Sequence, residues 1–159
     1  MCGVNQRFAT QNMTLQRRDI LNYKEKKYAL NCDIFKSYFE VNPNRKPKNA
    51  VSITSLHRGY FSEFKIVDNQ LIAVDISIIY DFDKEKGDLL TKSVIDYALP
   101  DQRHCNWFNG TLLMYPIPSD EKDQYDCLKM EIVKGRLEAV KVLSKQEYHD
   151  FENHAYDYF

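Results

Sequence analysis

The stretch Gln70-Leu-Ile-Ala-Val-Asp-Ile-Ser-Ile-Ile-Tyr80 decides the fold. It is rich in β-branched residues and lacks Gly and Pro, which favours a long strand over a helix. On an extended chain alternate side chains share a face. Leu71, Ala73, Asp75, Ser77 and Ile79 therefore line one side, and Ile72, Val74, Ile76, Ile78 and Tyr80 line the other. The second set is wholly apolar and is expected to face the core.

Working outward, Asp68-Asn69 is a turn signal, and residues 50–56 and 58–67 before it read as strands separated at Arg58-Gly59. Asp19–Tyr23 and Lys27–Leu30 form two short β-type runs around a polar turn. Asp33 is placed to cap a helix over 33–41, whose Ile34, Phe35, Tyr38 and Phe39 fall on one stripe before Pro43 and Pro47.

Beyond the central strand, residues 81–88 hold four acids and two bases and read as a solvated loop closed by Gly87. Leu89, Leu90, Val94 and Tyr97 recur at helical spacing up to Pro100, which predicts a second helix over 88–98. Trp107 to Ile117 reads as a strand interrupted by Asn109-Gly110. Residues 126–133 and 136–143 flank Lys134-Gly135 as a hairpin. Ser144-Lys-Gln-Glu147 is a capping box opening a third helix over 145–156. The expected fold is α+β: a single domain over 17–159, mainly antiparallel sheet with three short helices, preceded by an arm over 1–16.

Composition limits the function classes. The chain has 159 residues, 43% of them hydrophobic and 28% charged, which are ordinary globular proportions. No window approaches 18 apolar residues, so no membrane association is expected. Cys2, Cys32, Cys105 and Cys127 lie far apart without a CxxC pair and read as free thiols, which points to a cytoplasmic setting. Charge is uneven: residues 17–48 carry nine Lys/Arg against four Asp/Glu, and residues 118–159 carry six against ten. A sequence pI of about 6.4 argues against nucleic acid as a partner despite the basic segment.

No Gly-rich phosphate loop, GxSxG or HExxH occurs, no Cys/His spacing fits zinc, and the acids of 81–88 miss the calcium-loop pattern. Neither a cofactor nor a metal is expected. His57, Arg58 and Tyr60, at the predicted strand break, are the residues that suit phosphate binding or ribonuclease-like acid–base chemistry. His104 and Cys105 are adjacent, so on an extended chain they point apart and do not form a dyad. His149 and His154 lie five apart, off the spacing of a helical metal pair.

Arg58-Gly-Tyr-Phe-Ser-Glu-Phe64 with Lys65-Ile-Val-Asp-Asn-Gln-Leu71 resembles a pattern in small uncharacterised bacterial proteins, where a Trp-Arg-Gly-Tyr strand leads into an aromatic-x-Ile strand and an Asp-containing turn. The likeness spans about residues 19–143, with His57 at the Trp position. It implies a bacterial single-domain protein and brings no known activity.

With no catalytic motif, a small domain and separated acidic and basic regions, the expectation is a protein-binding module, of the kind represented by immunity-type inhibitors of a toxin or other enzyme. Asp120, Glu121, Asp123, Asp126, Glu147 and Asp150 would meet a basic cleft, with Tyr125 and Tyr148 as aromatic anchors. The alternatives are an enzyme or RNA-processing factor built on His57, Arg58 and Tyr60, or a structural or oligomeric protein.

Overall fold

The structure is a computed structural model that describes residues 17–48 and 50–156, with side chains described up to residue 153. The arm expected over 1–16 lies outside the described residues. In chain order the elements are β1 (Ile20–Tyr23), β2 (Lys26–Leu30), α1 (Phe35–Val41), β3 (Tyr60–Val67), β4 (Gln70–Asp83), β5 (Asp88–Ser93), α2 (Ile95–Ala98), β6 (Gly110–Pro116), β7 (Cys127–Val133), β8 (Arg136–Leu143) and α3 (Lys145–Tyr156). The fold is α+β and mainly antiparallel.

The eight strands lie in the order β3-β1-β2-β6-β7-β8-β4-β5, and β3 also pairs with β4. The sheet thus rolls back on itself. Seven strands make a ring, and β5 hangs outside it on the C-terminal part of β4. Every pairing is antiparallel except that of β1 with β3.

Two-residue turns set three of the hairpins, at Lys24-Glu25, Asp68-Asn69 and Lys134-Gly135, each with both residues at positive φ. That geometry matches the right-handed twist of the flanking strands. The capping box also forms, with the Glu147 N–H donating to the Ser144 hydroxyl and the Ser144 N–H to the Glu147 carboxylate, both at 3.1 Å.

The facing of β4 differs from the simple alternation. Glu63 pairs with Asp75 but Phe64 pairs with Ala73, so Val74 is an extra residue in a β-bulge. The bulge inverts the phase. Leu71 and Ala73 point into the core before it and Ile76 and Ile78 after it, while Val74 is 41% exposed. Ile76 and Ile78 face inward as expected; Val74 does not, and Ile72 is only half-buried. A second irregularity between Ile79 and Asp81 leaves Tyr80 exposed. Bulges increase local bending, which a strand needs to close a ring.

The helix predicted over 88–98 is corrected to a strand, β5, followed by the single turn α2. Its cause is non-local. β4 runs on past its last pair with β3 at Ile78, and on its other edge, where β8 pairs only at Gln70, the backbone groups of residues 77–83 require a partner, which β5 supplies. Residues 50–56, read as a strand, make only an isolated bridge between Ile53 and Leu56, plus a bond from the Val51 N–H to the Ile79 carbonyl at 2.7 Å.

Two cores result. The larger joins the inward side chains of the ring with α1, whose Phe35 lies 5.5 Å from the rings of both Phe64 and Trp107, and whose Phe39 lies 5.3 Å from Tyr60. The smaller sits beneath α3 and contains Leu113, Tyr115, Cys127, Leu143 and Tyr148.

The ring closes at a narrow seam, where Gln70 pairs with Arg136 and the Leu71 N–H donates to the Gly135 carbonyl at 2.8 Å. Gly135 has φ +71°, and a Cβ there would meet the Cys105 carbonyl oxygen at 2.4 Å. Gly87 has the same φ but open space around it. Gly135→Ala is expected to lower stability by about 2–4 kcal/mol, and Gly87→Ala by only about 1 kcal/mol. Urea-unfolding midpoints of the two variants check this difference.

Candidate functional site

A densely bonded constellation of charged groups stands where β1 and β3 begin. Asp19 directly precedes β1, Asp33 precedes α1, and Arg58-Gly59 leads into Tyr60 at the head of β3. Gly59, at φ +83°, turns the chain so that Arg58 folds back and its Nε donates to the Tyr60 carbonyl at 2.8 Å. The guanidinium then reaches two carboxylates. Nη1 lies 3.1 Å from Asp19 Oδ2 and 3.0 Å from Asp33 Oδ1, and Nη2 pairs with Asp19 Oδ1. The Ser62 N–H also donates to Asp19 Oδ1 at 2.7 Å, and the Tyr60 hydroxyl donates to Asp33 Oδ2 at 2.5 Å.

Electrostatics follow from burial with two acids sharing one base. Burial pushes the Asp19 carboxyl up to about 6, while Arg58 and the Ser62 N–H pull it down. Burial opposes the charge on Arg58, but Asp19 and Asp33 outweigh it and hold the guanidinium above its ordinary value. Burial, then Asp33, push the Tyr60 hydroxyl well above the usual tyrosine range. Cys32, alongside, is pushed up to about 12 by burial and by the same two carboxylates. At neutral pH Tyr60 and Cys32 hold their protons and Arg58 its charge.

Of the trio expected for acid–base chemistry, the fold therefore gathers Arg58 and Tyr60, together with Asp19 and Asp33. His57 is exposed, and its carbonyl accepts a bond from the Ser52 hydroxyl at 3.0 Å. Asp19 was not singled out in the sequence, and Asp33 only as a helix cap. Asp33 Oδ1 accepts the Phe35 N–H at 3.0 Å from one position ahead of the N-cap, which is Ile34. The only local signal for Asp19 is an acid set between Arg18 and the apolar Ile20 at a strand start.

The acidic residues fall into two groups. Asp120, Glu121, Asp123 and Asp126 are all exposed on the β6–β7 loop. Asp120 Oδ1 accepts the N–H groups of Lys122 and Asp123 at 2.8 and 2.9 Å, which fixes the loop's turn. Tyr125 ties it down, its ring 5.2 Å from Tyr28 and its hydroxyl donating to the Lys27 carbonyl at 2.5 Å. Lys26 Nζ lies 5.4 Å from the Tyr125 ring, so the basic β1–β2 hairpin adjoins the acidic loop in space.

The second group is on α3. Glu147 and Asp150 are exposed, the first closing the capping box and the second accepting from Gln146 Nε2 at 3.0 Å. Tyr148, expected as a surface anchor, is fully buried instead. It is an apolar-stripe residue of an amphipathic helix, so it packs on Tyr115 while Arg18 Nη1 donates to its hydroxyl at 2.9 Å.

The remaining candidates serve the fold. His104 Nε2 lies 3.1 Å from the Gly135 carbonyl, and burial pushes the Cys105 thiol far above the thiolate range. The described part of the chain contains no cluster of three His, Cys, Asp or Glu able to hold a metal, and no helix there is long and apolar enough to cross a membrane. A shallow pocket of about 430 Å³ beside the end of α1 is lined by Arg45, Lys48, Asn44 and Tyr97, among others.

Compared with protein-family models, curated proteins and solved structures, the chain matches none of them. Function is accordingly read from its own geometry.

Asp19's folded value lies above its unfolded one, so the folded state holds an extra proton between pH values of about 4 and 6. Its contribution to stability is fully present below that window. It declines as pH rises through the window, by at most about 1.4 kcal/mol per unit. Removing the guanidinium leaves Asp19 buried without its base. Arg58→Met is expected to lose about 3–5 kcal/mol near neutral pH. At pH 5 the loss is smaller, because Asp19 then carries a proton. Urea unfolding at pH 5 and pH 8 measures the difference, and equal losses would contradict the assignment.

Proposed function

We propose that this protein is a protein-binding module that meets a basic surface of another protein through its acidic β6–β7 loop, in the manner of an immunity-type inhibitor. One observation carries the reading: four carboxylates, on Asp120, Glu121, Asp123 and Asp126, stand exposed on one loop whose turn is fixed by Asp120, and none is in an ion pair among the described residues. A loop already held by the Asp120 turn and the Tyr125 hydroxyl loses little conformational freedom on docking. Its charges also steer a basic partner, an effect that fades with salt.

Catalysis at the Arg58 cluster is the weaker alternative. Arg58 and Tyr60 are already bonded to Asp19 and Asp33, so a substrate would have to displace a buried carboxylate to reach them. Tyr125 keeps part of its ring at the surface and remains an aromatic contact in the proposed interface, a role the buried Tyr148 leaves to it.

The test is a fourfold substitution, Asp120→Asn, Glu121→Gln, Asp123→Asn and Asp126→Asn. Asn at 120 keeps the oxygen that accepts the turn's N–H groups, so stability should change by no more than about 0.5 kcal/mol per site. Wild-type protein is expected to retain its partner at low ionic strength and release it as salt rises, and the fourfold variant to retain none. Co-expression with the protein encoded by the adjacent reading frame is the first pairing to measure. If the variant binds as tightly as wild type, with the same salt dependence, the acidic loop is not the interface.

A further inference from the structure

The ring of strands satisfies its own edges, but β5 does not belong to the ring. It pairs with β4 along one side, and among the described residues no strand lies on its other side. A row of backbone N–H and C=O groups therefore stands open along Asp88-Leu-Leu-Thr-Lys-Ser93. β5 contains no proline, one of the devices that discourage edge pairing, and each of its six residues has a partner in β4. The hairpin is also apolar at its surface. Leu89 and Phe82, paired across the strands, are 41% and 48% exposed.

Charge selects what fits this edge. Asp88, Leu90 and Lys92 share one face of β5 by alternation, and Leu89, Thr91 and Ser93 share the other. Asp88 sits directly opposite Asp83 of β4, a like-charge pair that disfavours the hairpin by itself. Lys92 Nζ lies 5.3 Å from the Tyr80 ring, and neither Lys92 nor Asp88 is in an ion pair among the described residues.

We propose that β5 is a dimerisation edge: a second copy of this chain lays its own β5 antiparallel against it about a two-fold axis at Leu90, setting Asp88 of each copy opposite Lys92 of the other. Symmetry leaves few options. An antiparallel pair about a two-fold axis normal to the sheet places only residues of the same face opposite one another, so the centre falls on a residue. Centring on Leu89 sets Asp88 against Leu90, and centring on Thr91 sets Leu90 against Lys92. Centring on Leu90 alone pairs acid with base, twice, and engages Asp88 through Lys92 on both copies. In that register the partner's Lys92 also approaches the Asp83–Asp88 pair and relieves its repulsion. Leu90 meets its own copy on the axis, and the Phe82–Leu89 patch continues across it onto the partner's Thr91. This surface is independent of the acidic β6–β7 loop, and the proposal does not rest on that reading.

The experiment measures mass in solution by sedimentation over a wide range of concentration, on the full chain. Wild type is expected to pass from monomer to dimer as concentration rises. Lys92→Asp and Asp88→Lys should each weaken association roughly tenfold or more, since each turns two cross-strand attractions into repulsions. The double variant Asp88→Lys with Lys92→Asp restores opposite charges in the same register and should recover most of the wild-type affinity. Both side chains are exposed, and thermal melting followed by circular dichroism verifies that each variant folds. A wild-type protein that stays monomeric throughout overturns the proposal. So does a dimer indifferent to Lys92→Asp, or a double variant as weak as the single ones.

Discussion

Rolling seven strands into a ring needs three junctions that no hairpin makes, β1–β3, β2–β6 and β4–β8, and one of them is parallel: β1 runs alongside β3, and the chain between them passes through β2 and α1. A parallel contact of three residue pairs is a weak hold by itself. The fold reinforces it with charge. Asp19 stands at the entrance to β1, accepts an N–H from Ser62 of β3, and is gripped by Arg58, which also reaches Asp33 at the approach to α1. One guanidinium thus joins the starts of β1, β3 and α1. The rest of the ring depends on that clamp, because β2 and α1 take their places from the strands it aligns.

Burying two acids with one base makes the clamp conditional. Loss of water around the buried Asp19 carboxylate is the main cause of its upward shift, and the negative charge of Asp33 beside it adds to the same direction. The Tyr60 hydroxyl and the Ser62 N–H soften this by bonding the two carboxylates. Perturbed groups of this kind also mark active sites, and geometry separates the two cases. Every polar arm of the cluster ends on another member or on backbone, and the Asp19 side chain has no exposed surface. Its arrangement suits holding strands together.

What the sequence disclosed was what short range determines. The Asp68-Asn69 and Lys134-Gly135 turns, the Ser144–Glu147 capping box and the stripe of α1 each depend on residues within a few positions, and all appear as read. The failures come from long range. Leu89, Leu90, Val94 and Tyr97 suit a helical stripe, yet the unpaired overhang of β4 draws residues 88–93 into a strand. The bulge at Val74 reverses the facing of half a strand, and nothing in alternating apolar residues announces where the phase will slip. Of the candidate site, Arg58 and Tyr60 were legible beside their flexible Gly59. Asp19 was not, because its partner lies 39 residues away and the pairing exists only once β1 meets β3.

The same overhang links architecture to surface. A ring hides its edges, and the price of a fourteen-residue β4 is that its last third leaves the ring and carries β5 outward, with no strand on its other side among the described residues. The acidic loop arises differently: β6 and β7 are joined by ten residues, of which the Asp120 turn and the Tyr125 hydroxyl are the fixed points. One surface offers backbone and a self-complementary pair of charges, the other offers carboxylates on a held turn. Backbone edges discriminate poorly unless side chains set the register, whereas a charged turn discriminates by sign and distance. In the proposed dimer Asp88 and Lys92 would make the edge selective for its own copy, and in the proposed function the acidic loop would be the surface that meets a different protein.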